Sequence, residues 1–427
     1  MLGAAGRGPA IVLHYFLGPR PIFWCSQPVT SPRPRRLHLD ERAFRHWELL
    51  RGFRQALARS PPGAPAHPSW ADPRRRTTVA DYLSLFLLGL FNPVVETMRG
   101  LNAASRLPRV QREVSGGYFS LGSFSEAQYL TDPAWLEAVF GELVGQETDP
   151  PPSDGHQAWH RWFARDSSLF AALPRMRWAL YGGGRAGAKN RAVRLHLSLH
   201  LLDDQPARAQ VTPGKVCERK AWRASWEAGA AYVGDRYFAE NYRLLGELTA
   251  AGCRYVLRVQ DAAVLTVEEA LPVTPEDAAA GVGRQVWGRL GGQASTRSDR
   301  VRVVELRTAA GETLRLVTNV PPEDLSAADV GLLYRRRWQI ECFFRWVKCL
   351  LGCRHWLAES PDGVTLQLYL ALIAAVLFQL HTGRRPNRRM LELFQWHQLG
   401  WASADDLIAG LQREQEREDR RRAKKAS

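Results

Sequence analysis

Four polar residues of different chemistry recur along one predicted helix, at a spacing that places them on one face. The helix is predicted over residues 325–351. At about 100° per residue, all four residues of this stripe fall within about 60° of one another. They are Tyr334, Arg337, Glu341 and Lys348. A tyrosine, two cations and a carboxylate held together in this way indicate a face that is directed at a partner.

The opposite side of the same helix is apolar and is therefore predicted to face the core. It carries Leu332, Ile340, Phe343, Val347 and Leu350. Arg345 lies beside the polar stripe. With a rise of about 1.5 Å per residue the stripe is about 21 Å long, which suits several phosphates of a DNA strand better than one small ligand. On amphipathic geometry alone, a solvated, salt-bridging face is the favoured alternative.

The elements that must position this helix alternate between strands and helices, and they predict an α/β domain with a mixed sheet. Period-two alternation predicts a strand over Ala192–Leu202, and Pro206–Val211 follows as its partner. Short β segments then predict an all-β insertion, with a hairpin that pairs Val301–Arg307 with Thr313–Thr318. The helix itself is predicted to be continuous and to open at Ser326 with a capping box.

Composition shifts divide the chain into parts. We predict a partly disordered Pro/Arg-rich arm, a helical domain, a core in two parts that flank the β insertion, and a C-terminal helix with a charged tail. The arm covers residues 1–75 and the helical domain 76–146. The two parts of the core cover 158–262 and 321–400, on either side of the insertion at 263–320. The C-terminal helix and tail cover 401–427. The helical domain is either a DNA-binding bundle or an ordinary bundle with a solvated basic face. A Pro-rich linker is predicted at Gln146–Gln157, and the tail from Arg413 onward is expected to be disordered.

The charge of the chain favours an anionic partner. Its 427 residues carry 58 Lys and Arg against 43 Asp and Glu, a net charge of +15. Nucleic acid is the first candidate for such a balance, and an acidic membrane surface is the alternative. A hydrophobic content of 45% excludes a fully disordered chain, and six cysteines exclude a disulfide scaffold.

Membrane, export and zinc signals are weak. The apolar run Val364–Leu380 contains two glutamines and suits a core helix better than a membrane span. The apolar residues 10–18 lack a clear cleavage site, so we predict no signal peptide. Cys349 and Cys353 have no second pair of ligands, which argues against a zinc site. A cytoplasmic protein with reduced cysteines is expected.

The four spaced residues resemble a known signature. In the setting YRRRWQIECFFRWVK, the pattern Tyr334-x-x-Arg337-x-x-x-Glu341-x-x-x-x-x-x-Lys348 is similar to the YREK motif of DDE transposases of the insertion-sequence-4 type. The order of parts over about residues 80–400 also fits that family. The resemblance implies a ribonuclease-H-like core and a DNA transposase. Such an enzyme cleaves double-stranded DNA at the ends of a mobile element and joins the 3′-OH to target DNA, as a homodimer in its active complex.

The resemblance also implies two aspartates upstream of the glutamate, on neighbouring strands of the core sheet. Asp166 is expected to end the first core strand, and Asp235 to end a later strand ahead of a helix, where α/β sheets place ligands. Asp203 and Asp204 compete for one of these roles, but they follow a strand in a turn-like sequence, where acids are common structurally. After Asp235 the chain departs from the family pattern, because aromatic residues stand where some members carry an acid.

On this resemblance Asp166, Asp235 and Glu341 are both catalytic residues and metal ligands. Strand cleavage is an in-line displacement at a phosphodiester, and two Mg²⁺ ions stabilise the attacking and leaving oxygens. Asp166 would bridge both ions and the other two acids would each hold one. Mn²⁺ is expected to substitute for Mg²⁺, since both accept oxygen ligands.

The remaining residues of the stripe are expected to bind DNA. Arg337 and Lys348 would hold phosphates of the element end by charge, and Tyr334 by its hydroxyl. Arg345 is a further expected DNA contact. When bound to DNA, the protein would be associated with a prokaryotic nucleoid.

Two other functions stay open at this point. A catalytically silent DNA-binding protein derived from a transposase would bind DNA in a salt-sensitive manner without cutting it. A metal-dependent nuclease on the same core would cut DNA and join no ends. Three intact acids argue against the silent protein.

Three other patterns are interpreted as structural. The glycine-rich Gly182–Lys189 lacks the end of a phosphate-binding loop and is predicted to be a flexible loop. His196 and His200 alternate on a strand and are expected on a half-exposed polar face. Trp287 is expected to be a core residue, with base stacking as the alternative.

Overall fold

The computed structural model describes most of the chain downstream of the predicted arm. The described residues are 48–60, 67–95, 97–145, 161–183, 189–202, 204–293, 297–308, 311–351, 356–382 and 386–426. The predicted linker Gln146–Gln157 and most of the arm lie outside these residues.

One mixed sheet of ten strands organises the described part of the chain, in the order β2-β3-β1-β5-β6-β10-β9-β8-β7, with β4 paired to β3. The strands are β1 Trp162–Ala171, β2 Leu180–Gly183, β3 Lys189–His200, β4 Pro206–Pro213, β5 Ala231–Gly234, β6 Arg254–Arg258, β7 Leu265–Leu271, β8 Val282–Leu290, β9 Val301–Arg307 and β10 Thr313–Thr318.

Five of these strands form the centre of the sheet. β1 and β4 each pair with β3 in an antiparallel manner, whereas β5 runs parallel to β1 and β6 runs parallel to β5. The resulting order β4-β3-β1-β5-β6 is the arrangement of a ribonuclease-H-like core. The predicted mixed α/β fold is therefore confirmed.

The predicted β insertion continues the same sheet. β10 pairs with β6 of the core, and β9, β8 and β7 follow as antiparallel strands. The predicted hairpin is present, since Thr313 lies opposite Arg307 and Thr318 opposite Arg302. The segment also contains one short helix, Pro275–Ala279.

Several short helices precede the sheet in the described part of the chain. They are α1 Glu48–Arg59, α2 Val79–Phe91, α3 Met98–Ala104, α4 Pro108–Val110, α5 Leu121–Leu130 and α6 Pro133–Gly145. A capping box opens α2, in which Thr78 and Asp81 each accept a hydrogen bond from the other's backbone N–H. Asn92 and Pro93 follow its end, as expected for a helix stop.

The later helices lie between the core strands and after them. They are α7 Glu218–Arg223, α8 Arg236–Ala239, α9 Tyr242–Ala250, α10 Pro275–Ala279, α11 Ala327–Arg336, α12 Trp338–Leu350, α13 Pro361–Thr382, α14 Arg388–Gln398 and α15 Ala404–Ala426. Among the described residues, α13 alone is long and apolar enough to cross a membrane, and 89% of its most apolar stretch is buried inside the protein. The prediction of a core helix at Val364–Leu380 is confirmed.

The prediction of one continuous helix over 325–351 is wrong at one point. Ser326 caps the N-terminus of α11, as predicted, by accepting a hydrogen bond from the N–H of Asp329. At Arg337 the helix tightens, because its N–H bonds to the carbonyl of Tyr334, three residues back, at 3.1 Å. Helical periodicity does not register such a local tightening, since all residues involved keep right-handed helical angles.

The prediction of a disordered tail is also wrong within the described residues. α15 continues to Ala426. Oppositely charged side chains one turn apart support it, as in the pairs Arg417–Glu414 at 3.7 Å and Arg420–Glu416 at 3.8 Å.

The described residues form two apolar core clusters, and the larger one joins the N-terminal helices to the sheet and to α13. The ring of Phe140 on α6 packs edge-on against Tyr369 of α13, with 6.1 Å between centroids. Phe91 on α2 does the same with Phe394 on α14, at 5.2 Å. The helical part is therefore packed directly on the core that carries the candidate site.

Candidate active site

Asp166 lies in the middle of β1, which corrects the expectation that it ends this strand. β1 continues to Ala171, because β3 remains its partner along the whole length. The parallel partner on the other side, β5, ends at Gly234. Asp166 therefore stands where one neighbour of β1 has stopped, which opens the sheet beside its side chain.

Asp235 is level with Asp166 across the sheet. Ala164 pairs with Val233, and continuing this parallel register by two residues brings the two aspartates opposite each other. Asp235 follows the last residue of β5, as predicted, and also caps α8, since its Oδ1 accepts a hydrogen bond from the N–H of Tyr237 at 3.0 Å.

Arg337 joins the first aspartate to the predicted glutamate. Its Nη1 lies 3.4 Å from Asp166 Oδ2, and its Nη2 lies 2.5 Å from Glu341 Oε1. The Arg337 side chain is only 13% exposed, so the guanidinium faces the carboxylates rather than solvent. One arginine thus brings together residues of β1 and α12 that are far apart in the sequence.

Electrostatics link all three acids to this arginine. Burial raises the pKa of Asp166 to about 7; the charge of Asp235 adds to this rise, whereas Arg337 opposes it. Burial also raises the pKa of Asp235, again against Arg337. For Arg337 itself, burial acts to lower the pKa, but Tyr334, Asp166 and Glu341 outweigh it and raise the pKa. Burial therefore disfavours the charged forms of both aspartates, and Arg337 offsets this effect only in part.

The donor set fits a hard divalent cation, although no metal-ligand cluster is preformed. Within the described ranges, no three acidic, histidine or cysteine side chains are grouped closely enough to hold an ion. The guanidinium of Arg337 lies between Asp166 and Glu341 and keeps them in one site. Carboxylate oxygens with a shortage of positive charge are suitable ligands for Mg²⁺ or Mn²⁺.

Tyr334, Lys348 and Arg345 have different surroundings. Tyr334 packs against the core, and burial raises the pKa of its hydroxyl. The Lys348 Nζ lies 5.4 Å from the ring centre of Phe170, on the strand that carries Asp166. Arg345 is exposed and lies over the ring of Trp338 at 5.3 Å.

Three residues near Asp166 were missed by sequence reasoning. Ser167, Arg194 and Glu218 form a hydrogen-bonded group on the reverse face of β1 and β3. Glu218 opens the short α7 without any motif. The alternation of β3 does indicate that Arg194 faces the same way as His196, and this is the one signal the sequence offers.

His196 is fully buried, which corrects the expectation of a half-exposed polar face. Its Nε2 lies 3.0 Å from the hydroxyl of Thr212. Burial, together with the charges of Arg165 and Arg194, lowers the pKa of its imidazole to about 3. The helix α7 and its neighbours cover this face, which strand alternation alone does not reveal.

Trp287 and the glycine-rich segment were also interpreted as structural. Trp287 is half-buried, outside the two core clusters, and Arg300 lies 5.1 Å from its ring centre. Gly182 and Gly183 belong to β2 rather than to a loop, and the centre of the glycine-rich segment lies outside the described residues.

Comparisons with known proteins match this chain to transposases. A family model described as the transposase DDE domain matches residues 160–377, about half of the chain. The chain is 30% identical over 205 residues to a probable transposase for insertion sequence element IS5377 of Geobacillus stearothermophilus, covering 48% of this chain and 52% of the relative. It is 26% identical over 226 residues to the transposase-like protein y4zB of Sinorhizobium fredii, covering 52% and 61%.

The chain therefore spans about half to three-fifths of the length of these two relatives. Among solved structures, the cryo-EM structure of the piggyBac transposase synaptic complex with hairpin DNA aligns over 91% of this chain and 84% of that one. The TM-score is 0.41 and the identity 10%.

Proposed function

Because the chain belongs to the transposase DDE-domain family, we propose that it is a DNA transposase. It cleaves at the ends of a mobile element and joins the freed 3′-OH to target DNA. The observation that carries this proposal is the position of Arg337, whose guanidinium contacts both Asp166 and Glu341, while Asp235 is close enough to shift in pKa under its charge.

The subgroup that fits best is the insertion-sequence-4 type. The spacing of Tyr334, Arg337, Glu341 and Lys348 supports this assignment, because all four residues match its motif. Packing agrees with the spacing, since Arg337 and Glu341 lie one turn apart and form an ion pair.

Asp166, Asp235 and Glu341 are the proposed ligands of Mg²⁺, with Mn²⁺ as a substitute. When bound, the metal supplies positive charge at the phosphodiester that is cut. Asp166 is already held in place, because the N–H of Ser167 donates a hydrogen bond to its Oδ1 at 2.7 Å. Burial disfavours the ionised carboxylate of Asp166, and a cation bound beside it would offset this cost.

Arg337, Lys348, Tyr334 and Arg345 are the proposed contacts to DNA phosphates. Arg337 keeps its charge in a half-buried position, where a guanidinium interacts with an anion more strongly than in water. Arg345 stands at the exposed end of the group together with Trp338, which gives it free reach to a DNA strand.

The helical part over 76–146 is proposed to bind DNA as well. Its basic surface includes Arg106, whose guanidinium lies 4.8 Å from the ring centre of Tyr118. Both Arg106 and Asn102 donate hydrogen bonds to the Tyr118 hydroxyl, at 3.0 Å each. The proposed partners are double-stranded element ends and target DNA, with a homodimer as the active complex in the cytoplasm.

The test is cleavage and joining of DNA that carries the inverted repeats flanking this coding sequence, with Mg²⁺ and purified full-length protein. Wild type is expected to release 3′-OH ends and join them to a target plasmid, and Glu341→Gln to do neither. Glu392→Gln is the matched control, because Glu392 has the same exposure of 31% and also pairs with an arginine four residues earlier.

The outcomes separate the proposed function from its two alternatives. Cleavage without joining would identify a nuclease on the same core. Metal-independent binding of the repeats without any cleavage would identify a silent DNA-binding protein, and the transposase proposal would then be rejected.

A further inference from the structure

We propose that Ser167, Arg194 and Glu218 form a positioning network that orients the carboxylate of Asp166. This inference rests on the proposed function, because it assigns a role to groups behind the proposed metal ligand. All three side chains lie on the face of the sheet opposite to Asp166, so they act through it and do not touch the reacting atoms.

The network begins at the carboxylate of Asp166. The N–H of Ser167 donates to Asp166 Oδ1 at 2.7 Å, whereas Oδ2 is the oxygen that faces Arg337. The two oxygens of Asp166 thus have different partners, and the rotation of the carboxylate depends on where the Ser167 amide is held.

The hydroxyl of Ser167 connects this amide to the reverse face. Arg194 Nη1 donates a hydrogen bond to Ser167 Oγ at 2.8 Å, and the hydroxyl of Ser167 acts to lower the pKa of Glu218. Arg194 Nη1 lies 3.4 Å from Glu218 Oε2, and both side chains are largely buried, at 16% and 14% exposure. Arg194 therefore links Ser167 to Glu218.

Arg194 is fixed from a second direction. Its Nε and Nη2 both donate to the carbonyl of Gly214, at 3.3 Å each. A Cβ on Gly214 would approach the carbonyl of Ala192 to 2.9 Å, so the segment between β4 and α7 is packed tightly on β3. Arg194 is thus held in place on the strand pair, and its hydrogen bond restricts the position of the Ser167 side chain.

Glu218 has a second set of charges around it. Arg165 is 1% exposed and lies on the same face, and it contributes to the electrostatics of Glu218. Asp235 is also close enough to interact with Glu218. A purely structural alternative therefore exists, in which Glu218 merely neutralises two buried arginines.

The variant Ser167→Ala separates the two roles. It removes the hydroxyl that links the network to Asp166, and it leaves the Arg194–Glu218 ion pair in place. Ser167→Thr restores the hydroxyl on a β-branched residue suited to a strand. Glu218→Ala and the double variant with Ser167→Ala test whether both residues act along one path.

Ser198→Ala is the matched control. Ser198 lies on the same reverse face, is 2% exposed, and also accepts a hydrogen bond from a buried arginine, Arg165, at 3.1 Å. It makes no contact with Asp166 among those described. A purely structural effect should therefore be at least as large for Ser198→Ala.

The measurements are Mn²⁺ affinity, titrated into the purified protein without DNA, and the Mg²⁺ dependence of element-end cleavage. Ser167→Ala is expected to weaken Mn²⁺ binding about 10-fold, as loss of an outer-shell partner does. It should also raise the Mg²⁺ concentration that gives half-maximal cleavage. Ser167→Thr and Ser198→Ala should bind Mn²⁺ as wild type does, and the double variant should be no weaker than Glu218→Ala.

Wild-type Mn²⁺ affinity in folded Ser167→Ala would overturn the proposal. So would an equal loss in Ser198→Ala, because that result would assign the effect to general stability. If Ser167→Ala fails to fold, the Mn²⁺ affinities of Ser167→Thr and Glu218→Gln are compared with that of Glu218→Ala. Equal affinities in all three variants would then overturn the proposal. Failure of wild type to cut DNA would reject the proposed function, while the Mn²⁺ titration would still report on the network.

Discussion

At the scale of single residues, Arg337 is the cation that holds the acidic side chains of the site together when no metal is bound. It is the positive charge in contact with Asp166 and Glu341, and it opposes the rise in the pKa of Asp235. The guanidinium therefore holds the acids of two elements together, and we propose that it also binds a DNA phosphate.

Arg337→Met should destabilise the metal-free protein because it leaves buried carboxylates without their cation. The expected loss is up to about 3 kcal/mol in the free energy of unfolding, and added Mg²⁺ should recover part of it. Chemical denaturation with and without Mg²⁺ measures both effects. Arg388→Met is the control; Arg388 is 79% exposed and pairs with Glu392, so its loss should be below about 1 kcal/mol. Equal losses would contradict the account.

His196 should make the protein sensitive to mild acid. Its pKa is near 3 when folded and near 6.5 when unfolded, because burial opposes its protonation. Below pH 6.5 the unfolded chain therefore binds a proton that the folded protein does not. The contribution of neutral His196 is complete above pH 6.5 and is lost as the pH falls toward 3, by at most about 1.4 kcal/mol per pH unit.

Denaturation of wild type and His196→Gln at pH 7, 6 and 5 measures this contribution. The stability of the variant should fall less steeply over this interval than that of wild type, whatever its stability at pH 7. Parallel slopes would show that His196 is not the group responsible.

At the scale of elements, the end of β5 fixes the position of Asp235. Gly234 is the last residue of this strand, and a Cβ there would lie 2.8 Å from Leu257 Cδ2 and 2.9 Å from Phe238 Cδ2. Both neighbours are fully buried. The strand thus approaches β6 and α8 as closely as a glycine permits.

Gly234→Ala should overpack this contact and displace Asp235. The expected cost is about 1–3 kcal/mol in the free energy of unfolding, together with a lower rate of element-end cleavage. Gly283→Ala on β8 is the control, because the nearest atom to its Cβ would be 3.9 Å away. Unchanged stability and cleavage in Gly234→Ala would show that the strand end has room to adjust.

Local signals predicted much of this arrangement, and the reasons are physical. The pairing of Arg337 with Glu341 follows from helical spacing alone, and so does the buried opposite face with Ile340 and Val347. The position of Asp166 within β1 did not follow, because it depends on where the neighbouring strand ends. Glu218 was missed since only the register of β3 and β4 brings α7 behind the first strand.

At the scale of the whole molecule, the predicted helical domain and the predicted core share their apolar interior. Residues of α1, α2 and α6 belong to the same buried cluster as those of β1, β3 and α13. The β insertion is likewise joined to the core by β10 and β6. The domain boundaries that composition indicates remain predictions. Buried side chains from both sides of these boundaries pack against one another.

Thermal unfolding should therefore proceed in one cooperative transition for the described part of the chain. Differential scanning calorimetry of the metal-free protein should give one peak, and Leu372→Ala on α13 should shift it as a whole, at a cost of about 2–5 kcal/mol. Leu372 is fully buried in the shared core. Two separate peaks, of which only one moves in the variant, would indicate independent domains.

The most direct test of the account compares Mg²⁺-dependent release of 3′-OH ends by Asp166→Asn, Asp235→Asn, Glu341→Gln and the triple variant. If the three carboxylates act as one site, each single substitution should lower the rate by at least about 10³-fold, and the triple variant should be about as slow as the slowest single one. A single variant that keeps wild-type cleavage, or losses that simply multiply in the triple variant, would show that the three acids do not form one site.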